Sequence, residues 1–482
     1  MTIIVSVFLR GYRGKTVDFS ITSQHHRTTV AYFLNHGKWN DSALQKALKS
    51  SIVELIYQEA RSSGQPIFCI VDDTIASHIK PSSQALHPIE AAYFHQSHLK
   101  GRQDYGHQVV SVMLSCNGIT LNYAVILYDK TKSKIKIVQD IATELPEAPV
   151  ISYFLCDSWY TSAGIMKSFL EKGFYTIGAL KTNRILYPMG IRQKASELAL
   201  RIRKSDPNVS LVTVDKRRFY VYRYEGNLNK ISNAVVLLSY PEECFGNPKA
   251  LRVFISTNVS LSTQEILDSY AKRWSIELFF RQSKQKLGLD KYQIRSSQGI
   301  QRYWLIMSFT HYLCCMCKGN HCTFEEGYFY LQKQLKEERI TAIYRLIQHG
   351  ASLEEVLTIA GCFCAIFVIC SFIVVYLSST SPSSQTGGCF CFLAIAVTEM
   401  LSAVNISTST ISNLIIISQL NHFTFVSALL LPVLRLNLTL PFRLQGLGTG
   451  GWLDPTRQDF PVIYNQLTKA SRVSSARQRK SA

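Results

Sequence analysis

Two apolar runs, Pro66 to Val71 and Ile151 to Cys156, the second holding one serine, each stop at an acid: Asp72-Asp73 after the first and Asp157 after the second. Short runs of this kind predict strands buried on both faces, each delivering an Asp at its carboxyl end. Between them the pattern predicts two more strands, His107 to Ser115 and Thr120 to Tyr128, joined through Asn117-Gly118, a pair suited to the positive φ of a tight hairpin. A helix over about 131–144 leads into the Asp157 strand and another over about 162–172 leaves it. Phe174 to Leu180 forms the next strand and ends at Lys181, Thr182, Asn183 and Arg184, which suit a DNA contact or a plain turn.

Upstream, residues 20–62 read as helical, with Ser23 and Asp41 as N-caps. His25 to Leu34 sets basic and hydroxyl residues ahead of an apolar stripe, the make-up of a DNA-contacting helix and equally of an ordinary surface helix. A loop over about 75–105 carries Lys80, His87, His95, His98, Lys100 and Arg102; it suits a path along DNA better than a metal, because His95 and His98 lack a third ligand. Between about 186 and 260 the periodicity turns to β, with Ser210 to Val214, Arg218 to Tyr224, Ala234 to Tyr240 and Arg252 to Ser256 alternating. Ser262-Thr-Gln-Glu265 then forms a capping box that opens a helix.

That helix carries the most specific chemistry. Tyr270, Arg273, Glu277 and Lys284 are spaced so that, at about 100° per residue, they share one face with Arg281. A carboxylate among cations suits a polyanion: the acid holds a metal ion while the bases and the phenol grip phosphates. A solvated face with i,i+4 ion pairs such as Glu277 to Arg281 has the same look. Likewise an Asp that ends one strand also serves as a helix cap or turn residue. Two acids on strand ends, where ligand sites gather in open α/β sheets, and a third on a cationic helix favour the catalytic reading together.

The Tyr-x2-Arg-x3-Glu-x6-Lys signature and the two strand-end acids resemble the DDE transposases of bacterial insertion sequences, over roughly residues 20–355. The resemblance implies an α/β, RNase H-like mixed sheet flanked by helices, with a β-rich insertion before the catalytic Glu helix. It also implies two Asp and one Glu that bind two divalent ions, Mg²⁺ or Mn²⁺. By position these are Asp72, Asp157 and Glu277, with Asp73 the alternative to Asp72, because strand alternation sends the adjacent pair to opposite faces. Tyr270, Arg273, Arg281, Lys284, Lys181 and Arg184 are then the expected DNA contacts. The implied activity is cut-and-paste transposition: cleavage of element ends and strand transfer into target DNA, by a homodimer on double-stranded DNA. An inactive DNA-binding remnant and a non-transposing nuclease of the same fold are the alternatives.

Charge agrees with a DNA partner. The chain has a formal charge of +19 and a pI near 9.3 over 482 residues, which favours polyanions without naming one. Of the thirteen cysteines, Cys314, Cys315, Cys317 and Cys322 cluster beside His321 and read as helix packing rather than zinc ligands. With no secretory pattern at the start and no phosphate-binding glycine loop, a reducing, bacterial cytoplasmic and DNA-associated setting is expected.

The expected division is a helical region over 1–62, its DNA-binding part truncated, a first core segment over 63–185 with both Asp, the β-rich insertion over 186–260, a second core segment over 261–355 and a hydrophobic, non-family tail over 356–482. From Val356 to Leu434 only Glu399 is charged, and residues 359–377 are apolar enough to cross a bilayer. Lost reading frame near residues 356–361 accounts for the tail better than a membrane anchor does, since DNA chemistry needs none.

Overall fold

The structure, a computed structural model, describes residues 2–356 apart from 12–14, 21–22, 24, 87, 98–100, 318–320 and 354. The tail from 357 on, with its bilayer-length segment 359–377, and the loop residues His87, His98 and Lys100 lie outside the described residues. Among the described residues no helix is long and apolar enough to cross a membrane.

The chain opens with helices α1 (Thr2–Arg10), α2 (Val17–Ser20), α3 (Arg27–Asn35) and α4 (Asp41–Ser63). The caps differ from the expected ones: the His26 ring accepts from the Thr28 N–H to start α3, and Asn40 accepts from the Ala43 N–H to start α4. Asn40 and Asp41 both suit a cap, and the amide takes the position because the Asp41 carboxylate is bound by Arg302 at 2.7 Å. Strands β1 (Phe68–Ser77), β2 (Tyr93–Ser97), β3 (Arg102–Cys116) and β4 (Ile119–Tyr128) follow. Positive φ at Asn117 and Gly118 makes the β3–β4 turn, as that dipeptide predicts. The expected 75–105 loop is strand at its ends and in part of its middle: β1 runs on past its acids to Ser77 and β2 pairs with the start of β3, while 78–86 and 88–92 remain loop.

Next come α5 (Lys134–Glu144), β5 (Ser152–Cys156), α6 (Ala163–Leu170) and β6 (Phe174–Leu180), with α5 and α6 capped by Ser133 and Ser162. The short strands β7 (Ile185–Leu186) and β8 (Gln193–Lys194) and helix α7 (Ala195–Ala199) precede the long antiparallel set β9 (Val209–Val214), β10 (Arg217–Leu228), β11 (Ile231–Pro241) and β12 (Arg252–Ser256). The chain then enters α8 (Thr263–Ala271), α9 (Trp274–Gln282), a π-helical turn over Ser283–Leu287, α10 (Ser297–Met316) and α11 (Phe324–Gln348).

One mixed sheet of twelve strands holds the described residues together. Its centre runs β4-β3-β1-β5-β6, with β1, β5 and β6 parallel, β3 antiparallel to β1 and β4 antiparallel to β3. That strand order, with helices packed against it, is the RNase H-like arrangement. The β-rich segment adds β12 antiparallel to β6 and continues through β11 and β10, so it prolongs the sheet. The parallel strands are buried as their composition demands: Cys69, Ile70, Val71, Phe154, Leu155 and Cys156 are all fully covered.

Helix α10 joins the N-terminal helices to this core. Arg302, buried on α10, donates to Asp41 and to the Gly37 carbonyl at 2.9 Å and lies over the Trp39 ring. Arg302 is enclosed while Asp41 is partly open to water, so removing Asp41 leaves a buried cation without its counter-charge. Cys314 and Cys315 pack inside the same helix, and Cys317 and Cys322 meet at 3.6 Å where α10 gives way to α11.

Beneath β3, His107 is fully covered: its Nε2 bonds the Glu90 carbonyl and its Nδ1 meets the Tyr292 hydroxyl, both at 2.8 Å. Burial pulls its pKa down to about 4. The folded value lies below the unfolded one, so unfolded chains take up a proton first as pH falls. His107 is therefore expected to cost up to about 3 kcal/mol of stability as pH drops from about 6.5 to 4, and nothing above that window. Urea unfolding of wild type and His107→Phe across that window measures this; equal pH slopes for the two would refute it.

Candidate active site

β1 and β5 run parallel, with Val71 paired to Cys156, the last residue of β5. The next residues, Asp72 and Asp157, therefore stand side by side on neighbouring strands, on one face. Asp157 ends its strand, as its apolar run predicts, and its Oδ1 accepts the Trp159 N–H at 2.9 Å to start a turn. Asp72 does not end a strand. β1 continues for five residues to Ser77, paired with β3 throughout, because β3 is long enough to carry it beyond the end of β5.

Asp73 faces the other way and is fully engaged. Its Oδ2 accepts from Lys134 Nζ at 2.8 Å and from the Tyr160 hydroxyl at 2.5 Å, and its Oδ1 accepts from Gln108 at 2.9 Å. Tyr160 is thus a buried structural group, and burial and Asp73 hold its hydroxyl proton firmly. The neighbouring Trp159 is half exposed, with Lys134 and Lys181 ammonium groups 4.7 and 5.1 Å from its ring. Lys134 sits on α5, sixty-one residues from Asp73, and no local pattern announces the pair.

The third acid arrives on a broken helix. The expected continuous helix from Ser262 does begin with its capping box: Ser262 accepts from the Glu265 N–H, and Glu265 returns the bond to Ser262. At Lys272 and Arg273 the backbone tightens, with N–H groups bonding three residues back, so α8 ends and α9 begins. Tyr270, Arg273, Glu277 and Lys284 consequently do not lie on one straight face. The Tyr270 ring packs on Phe254 at 4.8 Å and near the Arg273 guanidinium at 5.8 Å. Arg273 Nη1 donates to Asp72 Oδ2 at 2.6 Å and its Nη2 to Glu277 Oε1 at 3.3 Å. The ion pair of Glu277 is therefore with Arg273, four residues before it, rather than with Arg281, which is exposed.

Lys284 lies in the π-helical turn and reaches across to β1, donating to Thr74 Oγ1 at 2.8 Å and to the Ile75 carbonyl at 3.1 Å. Arg184 is half buried and donates to the Thr161 carbonyl in the turn that follows Asp157; Lys181 is exposed over Trp159.

The electrostatics of this cluster point to a deficit of positive charge. Burial, opposed by Arg273 and reinforced by repulsion from Asp157, leaves the Asp72 carboxyl pushed up to about 7. Asp157 is also raised, first by burial. Two neighbouring buried carboxyls, both raised, are a pair that a hard divalent cation would neutralise, and carboxylate oxygens are the ligands such an ion takes. The donor chemistry fits. The arrangement places the guanidinium of Arg273 between Asp72 and Glu277, and among the described residues no three acid, imidazole or thiol side chains come together as a ready cation site.

A mixed sheet in RNase H order, with two acids side by side on its central parallel strands and a third joined to them from a helix, defines a protein of the RNase H-like class. Residues 63–313, just over half of the chain, match the transposase DDE domain, and the chain belongs to the DDE transposase family. Such domains generally use divalent metal ions. No curated protein matches the chain.

Proposed function

We propose that this protein is a cut-and-paste DNA transposase in which Asp72, Asp157 and Glu277 bind two Mg²⁺ or Mn²⁺ ions. The observation that carries the proposal is the β1–β5 register, which sets Asp72 beside Asp157, together with the bridge from Arg273 to Asp72 and Glu277. Bound ions would supply charge stabilisation at the attacking and leaving oxygens of an in-line phosphoryl transfer.

The protein's own groups do the rest. Arg273 and Lys284 hold backbone phosphates beside the scissile bond, and Tyr270 orients the strand. Trp159, flanked by Lys134 and Lys181, offers a cationic stacking surface next to Asp157. Water attacks the phosphodiester at the element end, one P–O bond forms as one breaks, and a 3′-hydroxyl leaves. That hydroxyl then attacks target DNA, exchanging one phosphodiester for another with no covalent enzyme intermediate. Arg184, already bonded to the Thr161 carbonyl, supports the turn after Asp157 as well as the DNA path, and Arg281 contributes from the exposed side of α9.

The proposed organisation is a helical region over 1–62, core segments over 63–185 and 261–355 split by the β-rich insertion over 186–260, and a tail from 356. The partner is double-stranded DNA, bound by a homodimer that pairs two element ends in the cytoplasm.

Supercoiled DNA carrying the terminal repeats that border the gene, incubated with Mg²⁺ and the full chain, tests this directly. End-specific nicking is expected; binding without nicking identifies a dead remnant, and cutting without regard to the ends identifies a non-transposing nuclease. Lys284→Ala should weaken binding of an end duplex and lower the slope of log affinity against log salt by about one. An unchanged slope would mean that Lys284 only braces β1 through Thr74 and Ile75.

A further inference from the structure

Arg273 does two things that compete. As the centre of a DNA grip it must meet a phosphate, yet in this structure both of its Nη groups are used on acids, Asp72 at 2.6 Å and Glu277 at 3.3 Å. The Arg273 and Asp72 side chains are largely covered, 16% and 15% exposed, so the pair is poorly screened and strongly held. Glu277 is more open, at 40%. The guanidinium also ties the start of α9 to β1.

We propose that Arg273 is a latch on the cation site, opened by DNA: a backbone phosphate draws the guanidinium away and leaves Asp72 and Glu277 to a divalent cation. The inference rests on the acid assignment above and adds a regulation to it. Without DNA the guanidinium serves as the counter-charge, and a metal ion must displace it to enter. With DNA bound, the phosphate takes over the planar two-pronged donor for which arginine is suited, and the two carboxylates lose the guanidinium they share. DNA and metal therefore bind with positive coupling, and by linkage each raises affinity for the other by the same factor. The consequence is an enzyme whose phosphoryl-transfer site assembles only on its substrate.

The test is Mn²⁺ binding, read from the electron paramagnetic resonance of the free ion, on the full chain. The DNA probe is a pre-cleaved duplex of the bordering terminal repeat, which allows no turnover. Wild type should bind Mn²⁺ about tenfold or more tightly with the duplex than without it, within the usual range of coupling between sites. Arg273→Gln should bind Mn²⁺ tightly without DNA and show no further gain when DNA is added; Arg273→Lys, which keeps a charge but loses the fork, should fall between. Circular dichroism of each variant confirms that it is folded. Equal Mn²⁺ affinity in wild type with and without the duplex, or an Arg273→Gln affinity no higher than wild type without DNA, overturns the latch. In that case loss of Mn²⁺ binding in Asp157→Asn would still uphold the acid assignment. If Asp157→Asn binds Mn²⁺ as wild type does, the assignment falls and the latch with it.

Discussion

Asp157→Asn is expected to lower end-specific nicking by about three orders of magnitude while leaving affinity for the end duplex within about twofold. The change keeps the shape of the residue, and an Asn oxygen still accepts the Trp159 N–H that starts the turn after β5. What it removes is a negative oxygen beside Asp72. Metal stabilisation of a phosphoryl-transfer transition state is worth several kcal/mol, and about 4 kcal/mol corresponds to a thousandfold in rate. Affinity is expected to stay because the proposed DNA contacts, Arg273, Lys284 and the basic surface, are cations rather than carboxylates. A variant that nicked at the wild-type rate would show that Asp157 is a turn residue and nothing more. Single-turnover nicking alongside a filter-binding titration measures both quantities on one preparation.

Gly327→Ala should cost about 2 kcal/mol of stability, although alanine is the better helix former by about 1 kcal/mol. Gly327 lies in the first turn of α11, where α11 crosses α10. A Cβ there would sit 1.7 Å from the Cys314 carbonyl oxygen and 2.5 Å from its carbon, both backbone atoms that cannot turn aside. The helices must part, and the contacts of Phe324 with His311 and of Tyr328 with Phe8 loosen with them. Propensity and packing thus predict opposite signs, so the urea midpoint decides between them. A midpoint equal to or above wild type would show that α10 and α11 do not approach as described.

Local chemistry made much of this fold legible. The apolar runs before Asp72 and Asp157, the Asn117-Gly118 hairpin and the Ser262 capping box each carry their own physical cause within a few residues, and each forms the predicted element. The caps at His26 and Asn40 were misplaced by one to three residues because several polar neighbours compete for each position and tertiary partners such as Arg302 decide. The extension of β1 past its acids, Thr74 to Ser77, is set by its pairing with Val109 to Gly106 of β3, remote in sequence, and is invisible in the run itself.

The site is legible in its residue types and not in its geometry. Helical spacing grouped Tyr270, Arg273, Glu277 and Lys284 on one face, but the tight turn at Lys272–Arg273 and the π-helical turn at Lys284 redirect them. Such irregularities arise from contacts that only the folded chain makes: Arg273 with Asp72, Lys284 with Thr74. Lys134, which pairs with Asp73 and flanks Trp159, stood in a helix with no marker of its role. The same pair explains why adjacent acids differ: Asp73 has its cation and its hydroxyl, whereas Asp72 shares one guanidinium with Glu277.

The central claim is that Asp72, Asp157 and Glu277 serve a common divalent-ion site, and iron-directed cleavage of the protein backbone tests it most directly. Fe²⁺ replaces Mg²⁺ on the full chain bound to the end duplex, and ascorbate with peroxide cuts the polypeptide wherever the ion sits. The account predicts three cuts, near residues 72, 157 and 277, all suppressed together by excess Mg²⁺. Cuts confined to one or two of these segments, or unaffected by Mg²⁺, would contradict it.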